Sequence, residues 1–519
     1  MAVIASAPGK VLITGAYLVL EKPNPGVVLT TTARFYAIVK PLHSSTESHS
    51  CNRLWTDVKL ASPQLFKEAT YKLSLESLSL QNVSSSSDNG NPFVEQAVQF
   101  AVAAAKAVFV DDHGRQDMLN TILLQGFEIT ILGSNDFYSY RKQIDARGLP
   151  LTSETLASLP AFSAITLNEN ELDKPNSSSK VRCAPEIAKT GLGSSAAMTT
   201  AAVAGLLHYL GAVNLTIATH ATYADTVANS DLDLVHAVSQ TAHCAAQGKV
   251  GSGFDVSAAV YGSQRYIRFS PEILSPAQVS RNSKSLLEAM TEILKNTWDN
   301  QKIEYGLPPF MALLLGEPGY GGSCTPSMVG AVQSWRKRDP QNSQEIWKRL
   351  AEANADVERQ LLLLKHMAQE QEEIYKNVLE SCSTQLSEKW MENHIHDSNQ
   401  QAVVKALLDA RQAILGVRNL LRQIGEAAGV PIEPEPQTQV LNATMNMEGV
   451  LLAGVPGAGG FDAIFAITLG NSARVRVAHE WSSKGVLPLL VTEDPKGVAL
   501  EDSDPREREI TSGIPSIKK

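Results

Sequence analysis

No two of the five cysteines in this 519-residue chain form a CxxC pair. That absence argues against a dithiol redox motif or a zinc ribbon and points to reduced thiols in a reducing compartment. No GxxxxGK[ST] occurs either, so the usual P-loop is excluded. Uninterrupted apolar runs are missing as well. The best approach to one, residues 195–213, contains two Thr, a His and two Gly, and reads as a buried helix rather than a membrane span. Met1 to Ala7 is apolar but has no basic stretch and runs into Pro8-Gly9, so a signal peptide is not expected. Positive charge is in short supply: 45 Lys and Arg against 54 Asp and Glu leave a net −9. A general nucleic-acid or membrane surface is therefore not expected, although one basic pocket is compatible with an anionic ligand. The expectation is a soluble, cytoplasmic protein.

With 43% hydrophobic and 19% charged residues the composition is that of a globular chain. Its length exceeds one ordinary domain, and two domains with insertions are expected. Short apolar runs alternate with helical patterns, which supports mixed α and β structure. Val3 to Leu20 reads as strand, turn at Pro8-Gly9-Lys10, strand. Strands are also expected at Val27–Val39, Ile122–Leu132, Tyr266–Phe269, Phe310–Leu315, Val450–Val455, Ala463–Leu469 and Val486–Val491. Helices are expected at Asn91–Val110, Ser195 to about Leu210, about Leu215 to Gln247, around Ser285–Thr297, and through most of Ser343–Ile424, which Glu433-Pro434-Glu435-Pro436 then breaks. His366, His394 and His396 lack acidic partners at ligand spacing and read as surface residues. The expected division is residues 1–270, residues 300–495, and a loose tail over 496–519, with insertions at 41–90, 136–180 and 343–424.

The stretch around which the rest is organised is Thr190-Gly191-Leu192-Gly193-Ser194-Ser195-Ala196-Ala197. Two glycines, two serines and a run of small residues describe a tight turn opening into a helix. Glycine takes positive φ and lets a ligand approach the backbone, while the first helical turn offers unpaired N–H groups. Together with the helix dipole and the hydroxyls these form a seat for a phosphate chain. Ser195 or Ser194 could also ligate a Mg²⁺ bridging the phosphates. A plain glycine turn with a serine cap is the competing reading.

Three further stretches are candidates for chemistry. Lys10 is the single charge among Val3–Leu20, where a solvated lysine at a strand edge is the competing reading. Gly248-Lys249-Val250-Gly251-Ser252-Gly253-Phe254-Asp255 sets an acid at the end of a donor-rich turn beside Lys249. Asp255 as the cap of a short helix is the alternative there. Gly319-Tyr320-Gly321-Gly322-Ser323-Cys324-Thr325 again puts hydroxyls at a helix start, expected from about Met328, either as a second anion seat or as a plain capped turn. The Asp136–Pro150 loop, with Tyr138, Tyr140 and Arg141, could touch an anionic substrate or be a solvated insertion.

Pro185 to Ala197 resembles the second signature of the GHMP kinases, the family of galacto-, homoserine, mevalonate and phosphomevalonate kinases. Ala7-Pro8-Gly9-Lys10 is similar to the first signature, and Gly454-Val455-Pro456-Gly457-Ala458-Gly459-Gly460 to the third, which would pack against the first loop. Gly15-Ala16-Tyr17 and Gly-Ser-Gly-Phe-Asp-Val resemble the branch whose acceptor is a phosphate. The resemblance implies an α+β, two-domain fold with a ribosomal-protein-like N-terminal domain and a ferredoxin-like C-terminal domain. It implies ATP and Mg²⁺ as cofactors and 5-phosphomevalonate as the small-molecule substrate, converted to 5-diphosphomevalonate on the route to isoprenoids and sterols. Lys10 and Asp255 are then catalytic. Lys189, Gly191, Leu192, Gly193, Ser194, Ser195 and Ala196 bind nucleotide, with Ser195 on the metal. Lys249, Ser252, Ser323, Thr325 and Arg141 are candidates for the acceptor. Where mevalonate kinases carry a metal-binding Glu, this chain reads His243-Cys244-Ala245-Ala246-Gln247, which leaves the second metal ligand unassigned. A mevalonate kinase and an inactive sensor of the same family are the alternatives.

Overall fold

The computed structural model describes residues 2–43, 54–84, 90–165, 167–168, 186–187, 189–217, 229–279, 285–319, 325–392 and 397–507. The β-branched and aromatic run at Pro25–Pro41 forms one long strand, the spine of the larger sheet. Its first residues pair with Gln264–Ile267 and its last with Phe127–Gly133, both antiparallel. The opposite edge of the spine takes Val3–Leu12, also antiparallel. Beyond Phe127–Gly133 the sheet continues through Trp55–Ser62, Lys67–Ser74 and Leu80–Asn82. The 41–90 insertion thus widens this sheet.

Val3–Leu12 is one strand, and Pro8-Gly9-Lys10 lies inside it rather than forming the expected turn. Pro8 has no N–H to give the ladder, and the register slips between Pro8 and Lys10. The irregularity frees the Lys10 N–H, which donates to the Leu192 carbonyl at 2.9 Å. A local defect in pairing thereby ties the first strand to the Gly191–Gly193 turn. The expected second strand gives way to a 3-10 turn at Ala16–Leu20, entered through Gly15 at φ +102°.

Helices Pro92–Val108, Ser194–Tyr209 and Asn229–Gln247 pack together on this sheet. Alanine makes close approach possible: Ala97, Ala101, Ala103, Ala104, Ala201 and Ala204 are fully buried. A Cβ on Gly205 would sit 3.2 Å from Val39 on the spine. Asn91 caps the first of these helices, accepting from the Phe93 and Val94 N–H groups. Ile122–Leu124, expected in a strand, ends the helix His113–Leu124, and the strand begins at Phe127 after Gly126 turns the chain at φ +64°.

The second sheet is antiparallel, in spatial order Val450–Gly454, Ile464–Leu469, Met311–Glu317, Leu487–Pro488. In chain order that is 2-3-1-4, with helical crossovers between the first and second strands and between the third and fourth, the ferredoxin-like arrangement. Of the Leu361–Leu364 run, Leu361 and Leu364 are buried and Leu362 and Leu363 are exposed. His366 is exposed as expected, but it does have an acidic neighbour one helical turn on, Glu370 at 3.3 Å; His394 and His396 lie outside the described residues.

Two expected boundaries move. Gln301–Glu304 pairs with Gln264–Ile267, so the first sheet extends past residue 270. The tail is not loose at its start, because Ala499 and Leu500 pair with Ser6 and Ala5. The Arg34 guanidinium donates to the Gly497 carbonyl at 2.6 Å and to Ser6, which fastens the returning chain. Residues 508–519 lie outside the described residues. Among the described residues no helix is long and apolar enough to cross a membrane.

The Glu433 carboxylate is fully enclosed in the helical crossover, meeting Arg418 at 2.7 and 3.0 Å and Arg422 at 2.8 Å. Removing one partner strands a buried charge, which costs about 3–5 kcal/mol. Glu433→Ala is expected to lose stability by that amount in urea denaturation, and a loss within about 1 kcal/mol, the value of an exposed pair, would contradict the pairing.

Candidate active site

Gly191 and Gly193 both take positive φ, +76° and +75°, and Gly193 is the N-cap of the Ser194–Tyr209 helix. A glycine cap brings no side chain across the helix end, so the N–H groups of the first turn face outward. Ser194 and Leu192 are buried, whereas Gly191 is exposed and Ser195 half-buried. The Lys10 ammonium lies against this turn, donating to the Gly191 carbonyl at 3.0 Å. It stands 5.4 Å from the centre of the Phe254 ring. Burial holds its pKa below the ordinary lysine value, and the charge of Asp255 works in the opposite direction.

Asp255 occupies the first turn of the Phe254–Tyr261 helix, whose cap is Gly253 at φ +81°. The reading of Asp255 as the cap is thereby replaced; its Oδ1 accepts from the next N–H, of Val256, at 3.0 Å. Gly253 is required sterically, since a Cβ would lie 2.6 Å from Phe269 and 2.8 Å from the Tyr266 hydroxyl. The Gly-Ser-Gly turn is held from behind. Arg268 donates to the Gly251 carbonyl at 2.7 Å, and the Tyr266 hydroxyl to that of Ser252 at 2.9 Å.

His243 completes the neighbourhood. It is buried, and its Nε2 lies 3.1 Å from Ser195 Oγ and 3.2 Å from Gln247 Nε2. Burial lowers its pKa; Asp255 raises it, and Lys249 and Lys189 push it down again. The imidazole therefore favours its neutral form, as a hydrogen-bond partner of Ser195. Lys10, Asp255, Ser195, His243, Lys249 and Lys189 thus belong to one electrostatic neighbourhood at the N-termini of two helices.

The third glycine-rich stretch lies against the first. A Cβ on Gly191 would be 3.5 Å from that of Ala463 and 4.0 Å from that of Asp462. The Tyr17 hydroxyl donates to the Ala458 carbonyl at 2.8 Å, and the buried Asn354 accepts from the Gly15 N–H at 2.8 Å. These contacts join the two sheets around the site.

The acceptor candidates fare unequally. Lys249 and Ser252 lie at the Gly-Ser-Gly turn. Ser323 and the side chain of Thr325 lie outside the described residues, although the helix Thr325–Arg338 begins earlier than expected. Arg141 is not on a solvated loop: its Nη2 donates to the carbonyls of Glu317 and Gly485 at 2.7 and 2.8 Å, between the two sheets. Tyr138 and Tyr140 beside it are buried. Sequence reasoning missed Arg268 and Asn354, because a side chain that serves a distant main-chain group leaves no local pattern. His243 had a signal, its place in the helix before Asp255, but not a role.

Among the described residues no group of three or more His, Cys, Asp or Glu could hold a metal alone. A phosphate-bridging Mg²⁺ does not need one, since it keeps several waters and takes one or two protein oxygens. The Ser195 hydroxyl and the Asp255 carboxylate are hard oxygen donors of that kind, so the residues fit.

A glycine turn opening into a helix without a P-loop, a lysine against it and an aspartate at a second helix start form the arrangement expected of a kinase of the GHMP type. Residues 403–487 match the family described as GHMP kinases C terminal. The chain is 58% identical to the peroxisomal phosphomevalonate kinase of Arabidopsis thaliana over 100% of its own length and 99% of that protein's. It is 31% identical to a phosphomevalonate kinase of Aspergillus fumigatus, over 92% and 90% of the two chains. The solved phosphomevalonate kinase of Streptococcus pneumoniae, in complex with phosphomevalonate and AMPPNP, shares the fold with a TM-score of 0.53 at 14% identity, over 95% of this chain and 100% of that one. The chain belongs to the phosphomevalonate kinases of the GHMP family.

Proposed function

We propose that this chain transfers the γ-phosphoryl group of ATP to the phosphate of 5-phosphomevalonate, giving ADP and 5-diphosphomevalonate. The observation that carries the reading is the Lys10 ammonium set against the Gly191–Gly193 turn, within the field of Asp255. An acceptor phosphate oxygen bonds to the γ-phosphorus as the bond to the bridging oxygen of ADP breaks. Such a transfer needs charge neutralisation and in-line placement more than covalent help. The 191–196 turn cradles the phosphates through its N–H groups, and Lys10 faces the charge that builds on the equatorial oxygens. Ser195 and Asp255 would hold a Mg²⁺, which would supply neutralisation of phosphate charge. Lys249, Ser252, Ser323 and Thr325 are assigned to the acceptor's phosphate. Arg141 is withdrawn from that set because main-chain carbonyls already hold its guanidinium.

The two working halves are residues 2–304 with 494–501, and residues 311–491. The compartment belongs to the proposal too: the thiol pattern fits the cytoplasm expected above, and equally the organelle in the Arabidopsis relative's name.

The acceptor's chemistry sets the role of Asp255. A phosphate monoester has its second pKa near about 6 and is mostly dianionic at neutral pH. No proton then has to leave, so Asp255 acts by holding Lys10 and the metal. An alcohol acceptor, as in a mevalonate kinase, would instead need a base. Asp255→Asn is expected to lower kcat by a factor that stays nearly constant from about pH 6.5 to 8.5. A variant whose activity climbs steeply with pH, as hydroxide replaces a missing base, would favour the alcohol.

A further inference from the structure

One short segment holds both halves of the site at once. After the strand Phe127–Gly133 the chain makes a 3-10 turn at Asn135–Phe137 and enters the helix Arg141–Ala146. On the nucleotide side, the Phe137 carbonyl accepts from the Thr190 N–H at 3.3 Å, and the Asp136 carbonyl accepts from the Thr190 hydroxyl. Tyr138 pairs with Lys189 as an antiparallel bridge. The Phe137 ring is 3.0 Å from where a Cβ on Gly9 would stand, one residue before Lys10. The segment therefore touches the residues that immediately precede Gly191 and Lys10.

On the other side the same residues hold the second sheet. Asp136 Oδ1 accepts from the Leu490 N–H at 3.0 Å. The Ser139 hydroxyl donates to Glu317 Oε1, and Arg141 donates to the Glu317 and Gly485 carbonyls. A Cβ on Gly319 would sit 2.4 Å from Arg141 Cζ, so the guanidinium packs flat on the chain leaving the strand Met311–Glu317. Glu317 and Gly319 lead towards the helix Thr325–Arg338, where the acceptor candidate Thr325 begins the helix.

The clasp is incomplete. Arg141 Nε stands 3.7 Å from Glu317 Oε1, and among the described residues neither Nε nor Glu317 Oε2 has a hydrogen-bond partner although both atoms are buried. Buried polar atoms left without partners cost free energy that a closer arrangement recovers. Burial also pushes the Glu317 carboxyl above its usual pKa, while the Ser139 hydroxyl and the Arg141 charge pull it down. A slight approach of the two halves would bring Arg141 Nε and the Glu317 carboxylate within hydrogen-bond distance.

We propose that residues 135–141, anchored by Arg141, are a positioning strap that couples filling of the phosphate turn to the acceptor's affinity. Nucleotide that orders Gly191 and Lys10 fixes Thr190 and the strap, and the strap fixes Glu317–Gly319. Arg141 acts through the chain and touches neither substrate. The inference rests on the reading of function given above.

The test is calorimetric titration of the full chain with AMPPNP alone, with 5-phosphomevalonate alone, and with each in the presence of the other. Wild type is expected to bind the acceptor about 5- to 20-fold more tightly when AMPPNP is present, an ordinary size for coupling. Arg141→Met should cut that factor to within about twofold of unity while leaving each ligand's affinity alone within about twofold, well below the usual coupling range. Arg141→Lys should resemble it, because an ammonium lacks the planar fork that spans two carbonyls. Ser139→Ala removes one hydroxyl from the clasp and should lower the factor partly; it decides the matter if melting curves show the Arg141 variants unfolded. Unchanged coupling in these variants, or no coupling in wild type, would overturn the strap. Loss of acceptor binding by Arg141→Met without nucleotide would make Arg141 a substrate ligand instead. If wild type binds no 5-phosphomevalonate under any condition, the functional reading itself fails.

Discussion

Gly193→Val is expected to abolish ATP binding in a chain that still folds. Gly193 sits at φ +75°, where a β-branched residue is strongly disfavoured, and its Cβ would stand 2.7 Å from Lys10 Cε and 3.3 Å from Lys10 Cγ. Two things then move together: the turn whose N–H groups receive the phosphates, and the lysine packed across it. The left-handed conformation costs an ordinary L-residue about 1–2 kcal/mol, and the clash adds more. That sum is small against the 5–15 kcal/mol of a typical fold, taken as an order of magnitude of about 10. The rest of the chain is therefore expected to remain intact. Nucleotide titration with a melting curve on the same sample checks this, and a folded variant with an unchanged titration would contradict it.

Lys10→Met is expected to reduce kcat by about 10²–10³, the loss of roughly 3–4 kcal/mol that follows removal of one preorganised electrostatic donor. Methionine keeps the apolar stem that packs near Phe254 and across Gly193, so the change is chiefly one of charge. Lys10 as a residue is half-buried, and burial lowers its pKa. Its field at the transferring phosphoryl group is therefore stronger than that of a solvated lysine. The ATP dissociation constant should change far less than kcat. If the whole factor appeared in ATP binding, Lys10 would be a ground-state ligand and the assignment would be wrong.

What could be read from the sequence follows how local each feature is. Gly191, Gly193 and Ser195 were legible because turn, cap and helix start are contiguous, and the structure folds them as one unit. The same holds for Asn91 at its helix start and for Gly253 before Asp255, though there the cap proved to be the glycine. Pro8-Gly9-Lys10 was read as a turn because proline and glycine punctuate chains. In the sheet they make a bulge, since both neighbouring partners are supplied from elsewhere, Arg34 on the spine and Leu192 on the turn. Asp136 and Arg141 were read as part of a loop that either touches an anionic substrate or is a solvated insertion, with Arg141 a candidate for the acceptor. Their partners, Glu317, Gly485 and Leu490, lie far along the chain and bond through main-chain atoms, which carry no residue code. Ala499–Leu500 was read as tail because a two-residue pairing has no periodicity to detect.

The central claim is that the acceptor is a phosphate monoester, and one measurement addresses it directly. ADP release is followed in steady state with 5-phosphomevalonate, mevalonate, galactose and homoserine as alternative acceptors, with phosphorus NMR of the product. Rapid ADP release with 5-phosphomevalonate alone, accompanied by two coupled diphosphate resonances in the product, is the predicted result. Turnover of mevalonate in preference to 5-phosphomevalonate, yielding a single monoester resonance, would contradict it.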